Sequence, residues 1–157
     1  MKVVRTSKDR LTVHLNKREK EMLMVLSRLY PRVPPAHCRL SRSESVPQPE
    51  AAQRLLDEAL AEQRAESKKR LETFLRSSQR FREYGTGGVQ FSLSPPEAEW
   101  LLQVLNDVRV GSWVLLGSPE EKIQLLNEKT VPHVWAMEMA GYFQMRLLEA
   151  MDEASET

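Results

Sequence analysis

Ser94-Pro95-Pro96-Glu97 stands directly before an apolar run, and this segment leaves the chain the least choice of fold. Serine at an N-cap accepts from an orphan backbone N–H, proline fits the first turn, and glutamate three residues on reaches back to the cap. Trp100, Leu101, Val104, Leu105 and Val108 follow at spacings that suit burial against a second helix. The run reads as a helix ended by Gly111, with Trp113 to Leu116 as a short apolar connection.

The same grammar applies at Asn16, where Glu19 completes a capping box before a helix from Lys17 to Tyr30. Met22, Leu26 and Leu29 share a face that Leu23 and Val25 widen. Ahead of it, Leu11, Val13 and Leu15 alternate with Thr12 and His14, so this stretch reads as a strand with one apolar face. Val3 and Val4 supply its partner through a turn at Ser7 to Arg10. The expected result is a small N-terminal β-hairpin, which must lie against helices because an isolated hairpin is marginal.

Pro31, Pro34 and Pro35 withdraw backbone donors, making residues 31 to 49 a loop or partly disordered connection. A second helix is expected from about Glu50 to Tyr84, either continuous or split near Ser67. Leu55, Leu56, Ala59 and Leu60 form its first apolar stripe, and Leu71, Phe74, Leu75 and Phe81 restore one later. Gly85-Thr86-Gly87-Gly88 ends it, and Val89, Phe91 and Leu93 form a further extended segment. Ser118, Pro119 and Glu121 repeat the cap pattern, opening a helix through Ile123, Leu125 and Leu126. A last helix is expected from His133 to Met151, with 152 to 157 as a flexible tail. The fold class is mainly α, a compact helical domain with a small N-terminal β-hairpin, and 1 to 151 form one globular domain.

Composition narrows the function classes. The chain has 157 residues with 23 Lys and Arg against 22 Asp and Glu, so a wholly basic binding protein is not the default reading. A single cysteine, Cys38, cannot form an internal disulfide, and the three histidines offer no zinc-site spacing. No cofactor or metal is implied. The first residues lack the apolar core of a secretion signal, and no segment approaches about 20 consecutive apolar residues, so a cytoplasmic chain without a membrane partner is expected.

Trp100-Leu101-Leu102, Leu105-Asn106-Asp107-Val108-Arg109, Leu115-Leu116-Gly117, and Trp135 with Gly141-Tyr142-Phe143-Gln144 resemble bacterial domain-of-unknown-function family 2017. The similarity spans most of the chain in order and is sharp from about residue 97 onward, whereas Arg32 to Gln48 does not match closely. The resemblance implies a compact, mainly helical, cytosolic bacterial protein. It brings no established reaction or ligand.

Asn106, Asp107 and Arg109 form the most family-like motif, and three-residue spacing lets Asn106 and Arg109 share a helix face. They read as a brace at the helix end. A catalytic reading would need Asp107, Arg109 and His133 in one pocket, but no positioned base and nucleophile can be named, so the chain reads as non-enzymatic. The Gly85 to Gly88 run lacks the lysine and hydroxyl residue of a P-loop and reads as a connection. His37-Cys38 is ordinary loop sequence, and His14 and His133 are structural or surface histidines.

Charge placement says more than the total. Residues 1 to 42 hold 11 Lys or Arg and 3 Asp or Glu, a surplus of +8, so the remainder carries −7 against the net +1. A basic surface of Lys17, Arg18, Lys20, Arg32, Arg39 and Arg42 would suit an acidic protein. The 97 to 129 region could be taken for a helix-turn-helix, but an apolar connection and an acidic second helix make a poor phosphate-facing pair. The functional reading is a protein-interaction or adaptor module, with a weak nucleic-acid-binding or regulatory protein as the alternative. Leu71, Phe74 and Leu75 would serve a homo-oligomer if exposed.

Overall fold

The computed structural model describes residues 1–7, 9–35, 48–121 and 126–155. Its elements run β1 (Lys2–Ser7), β2 (Arg10–Leu15), α1 (Lys17–Leu29), α2 (Pro49–Arg76), β3 (Arg82–Tyr84), β4 (Gly88–Leu93), α3 (Pro95–Leu115) and α4 (Val131–Ser155). The domain is mainly helical, with the N-terminal antiparallel hairpin in front of the helices.

That hairpin is half of a larger sheet. β2 pairs antiparallel with β4, and β4 with β3, giving the order β1-β2-β4-β3. The register sets Leu11 opposite Leu93, Val13 opposite Phe91 and Leu15 opposite Val89. All six are buried, so period-2 alternation delivers one apolar face to the core and the opposite face outward.

Helices α1, α3 and α4 cover the apolar face. α3 and α4 form the most extensive helix pair, with Leu101, Leu105 and Val108 against Ala136, Ala140, Phe143 and Leu147. Arg146 ties α4 to the hairpin by donating to the Met1 carbonyl from Nε at 3.1 Å and from a terminal nitrogen at 3.0 Å.

Both expected capping boxes form. Asn16 Oδ1 accepts from Glu19 N at 2.9 Å, and Glu97 Oε2 accepts from Ser94 N at 2.8 Å. Several helix ends differ from expectation. α2 is continuous through Ser67 and stops at Arg76, and residues 82 to 84 form β3 rather than a last helical turn. Gly85 and Gly87, at φ +59° and +74°, build the β3–β4 turn instead of closing a helix. α3 passes through Gly111 to Leu115, absorbing most of the expected connection. Gly111 is required by contact, since a Cβ there would lie 2.5 Å from the Arg32 carbonyl carbon.

α2 is fastened through its C-terminal half. Trp100 Nε1 donates to Ser67 Oγ at 3.0 Å, the Arg70 guanidinium lies 4.5 Å over the Trp100 ring, and Phe74 meets Phe81, Phe91 and Trp100 edge-on. The earlier Leu55–Leu60 stripe is not buried, with Leu55 67% exposed. Leu71 and Phe74 pack inside the chain, so they offer no surface to a second copy.

Ser118 adopts a left-handed φ of 52° and caps no helix among the described residues. Ile123 and Leu125 of the helix expected there lie outside the described residues. Asp152 to Ser155, expected as tail, extend α4. Among the described residues, no helix is long and apolar enough to cross a membrane.

Candidate functional site

The outward face of the sheet gathers polar and cationic side chains from all four strands. Lys2 stands opposite His14, His14 opposite Gln90 and Gln90 opposite Arg82, forming one row across all four strands. Val4, Thr12 and Ser92 form the next row, with Arg10 and Tyr84 also on this face. None of these outward positions carries Asp or Glu. Lys2, Arg10, Arg82 and Tyr84 are exposed.

The rows are held by local contacts. The Thr6 and Thr12 hydroxyls meet, and Ser92 Oγ lies 3.5 Å from Thr12 Oγ1. The His14 and Tyr84 rings pack with centroids 4.4 Å apart. Gly88, opposite Tyr84, lacks room for a Cβ, which would lie 2.4 Å from the Tyr84 carbonyl oxygen. Lys17 runs along the adjoining turn, where a Cβ on Gly87 would come 3.1 Å from its Cδ.

At the other end of this face is a cavity of about 520 Å³, lined by Thr6, Arg10, Thr12, Arg80, Arg82 and Ser92 among others. Arg80 is clamped, with NH2 2.6 Å from Glu97 Oε1 and its guanidinium 4.8 Å over the Phe74 ring. Its NH1 is buried without a hydrogen-bond partner among the described residues. Burial pushes the Glu97 carboxyl upward, but hydrogen bonds from Arg80 and Ser94, with the Arg80 charge, outweigh it and hold Glu97 below the ordinary carboxylate value.

The sequence-derived basic surface divides. Lys17, Arg18 and Lys20 are exposed on α1. Arg32 turns inward, half-buried, with NH2 2.5 Å from His133 Nδ1. Burial first, then the Arg32 charge, lowers the His133 pKa from its usual value. Arg39 and Arg42, together with His37 and Cys38, lie outside the described residues.

Asn106, Asp107 and Arg109 sit within α3 rather than at its end. Asn106 Oδ1 accepts from Arg109 NH2 at 3.2 Å and from Gln144 Nε2 at 3.4 Å, bracing α3 to α4. Asp107 Oδ1 accepts from the backbone N–H of Arg32 at 2.6 Å and of Val33 at 3.3 Å. Asp107 therefore holds the chain leaving α1, and Arg109 belongs to a different contact. A groove of about 560 Å³ runs beside Asn106 and Asp107, between Leu60 and Ser67 of α2 and Leu148 of α4.

Sequence reading missed Lys2, Arg10, Arg80 and Arg82 as one surface. The polar halves of the alternating strands were visible, but the β2–β4 pairing that joins them brings together residues 74 to 82 positions apart, from Leu15 with Val89 to Leu11 with Leu93. No family model, curated protein or solved structure matches the chain.

Proposed function

We propose that this chain is a non-enzymatic protein-interaction or adaptor module that binds an acidic partner through the open face of its sheet. The observation that carries the reading is the absence of any carboxylate at the outward strand positions while Lys2, Arg10 and Arg82 stand exposed there. Such a face attracts acidic chains and repels basic ones, and its binding weakens with added salt. Lys17 adjoins this face at the β3–β4 turn, whereas Arg18 and Lys20 are exposed on α1, which packs against the other side of the sheet. The proposed setting is the bacterial cytoplasm.

The test is a titration of fluorescent oligoglutamate into the full chain at low and moderate salt. K2Q/R10Q/R82Q is expected to weaken binding by about tenfold or more, equivalent to roughly 1.4 kcal/mol, and K17Q/R18Q/K20Q by less. Unchanged binding by the sheet variant with intact folding sinks the assignment. A second reading, single-stranded nucleic acid, is favoured by the His14–Tyr84 ring pair beside Lys17. Tighter binding of an oligonucleotide than of oligoglutamate, lost in Y84A, would establish that reading instead.

A further inference from the structure

We propose that the arginine-lined cavity on the open sheet face binds a phosphomonoester group. This inference rests on the reading of that face as the binding surface and names the chemistry it selects. Three arginines, Arg10, Arg80 and Arg82, line one cavity of about 520 Å³. Like charges gathered in one place repel, and only Arg80 is compensated, by Glu97. Neither Arg10 nor Arg82 forms an ion pair among the described residues.

The donors point to an oxyanion with several acceptor oxygens. Phe74 and Glu97 fix Arg80 from two sides and leave its buried NH1 unpartnered among the described residues. The hydroxyls of Thr6, Thr12 and Ser92 also line the cavity, hydrogen-bonded to one another, which occupies two of their three O–H donors and leaves one for a ligand. A phosphomonoester brings about −1.5 to −2 charges and three strong acceptor oxygens at neutral pH, which matches the two uncompensated arginines. A carboxylate or a phosphodiester brings a single negative charge and leaves one arginine unmatched.

The experiment follows the backbone amide resonances of Thr12 and Ser92 in the full-length 15N-labelled protein. The probes are O-phosphoserine, inorganic phosphate, oligoglutamate, and a single-stranded oligonucleotide without terminal phosphates. O-phosphoserine is expected to shift both amides saturably, with R10Q and R82Q each weakening it by about tenfold and R82K recovering part of the loss. Both replaced side chains are exposed, so folding should survive. Binding of O-phosphoserine tighter than that of phosphate supports the site and identifies a phosphorylated side chain as the source. Equal binding supports the site and identifies free phosphate. Oligoglutamate binding with no saturable phosphate or phosphoserine shift up to about 10 mM overturns this inference while leaving the proposed function standing. Phosphoserine binding without oligoglutamate binding does the reverse. Shifts of the same amides by the oligonucleotide at lower concentration than by phosphoserine overturn the phosphomonoester assignment.

Discussion

At the residue scale, Asp107 and Gly111 act together. Their four-residue spacing stacks them on one face of α3, where the carboxylate takes the Arg32 and Val33 amides and the missing side chain admits the same backbone. G111A should improve local helix propensity by up to about 1 kcal/mol, yet the overlap with Arg32 and Val33 backbone should dominate. The expected net loss is about 1–3 kcal/mol in a urea melt. D107A should cost a similar amount by orphaning two N–H groups, and D107N, which keeps one acceptor oxygen, should cost less. His133 makes a pH prediction. Its folded-state pKa lies below the unfolded value of about 6.5, so its contribution to stability is complete above that pH and declines as pH falls toward the folded value. Urea melts between pH 7 and pH 5 should therefore show a shallower decline for H133N than for the wild-type chain.

At the element scale, the two capping boxes have unequal consequences. Asn16 and Glu19 start α1, and Glu19 Oε1 also accepts from the Tyr142 hydroxyl at 3.0 Å and pairs with the Met1 amino group. Ser94 and Glu97 start α3, the helix that carries Trp100, Leu105 and Val108 into the core, and Glu97 also holds Arg80. S94A should cost about 0.5–2 kcal/mol. E97Q should weaken both the cap and the Arg80 clamp, and it should make stability less sensitive to acid because the depressed Glu97 carboxyl stabilises the fold above its unfolded pKa and loses that effect as pH falls through the folded one. Acid titration monitored by circular dichroism checks the comparison. These caps were legible in the sequence because a cap is a local event within four residues. The end of α2 was not, since Arg82 to Tyr84 become a strand only by pairing with β4.

At the scale of the whole molecule, α2 is a helix with two characters. Its described buried side chains are Leu71 and Phe74, and Leu55 near the start is 67% exposed. Burial of an apolar face, more than intrinsic propensity, holds helices in place. Amides of residues 53 to 62 should therefore exchange with deuterium faster than those of 68 to 76, approaching local rather than global opening. Equal protection along the helix would mean that its first half is held by packing not seen here. The same arrangement explains why an oligomer through Leu71, Phe74 and Leu75 does not follow, since two of these residues are inside the aromatic cluster around Trp100.

The sequence by itself determined the mainly helical class, the first hairpin, both capped helix starts and the apolar stripes of α3 and α4, because each depends on hydrophobic period or on hydrogen bonds within one turn. Tertiary structure alone decided the rest. Gly111 reads as a stop signal until Arg32 lies against it, and Asp107 reads as a helix-end brace until the α1 exit supplies two donors. Arg10 and Arg82 stand 72 positions apart, and only the pairing of β2 and β3 with β4 brings both to one outward face. Strand alternation tells which way each side chain points, but the neighbour on the next strand is set by register, a long-range choice that the burial of Leu11, Val13, Phe91 and Leu93 makes for the whole sheet.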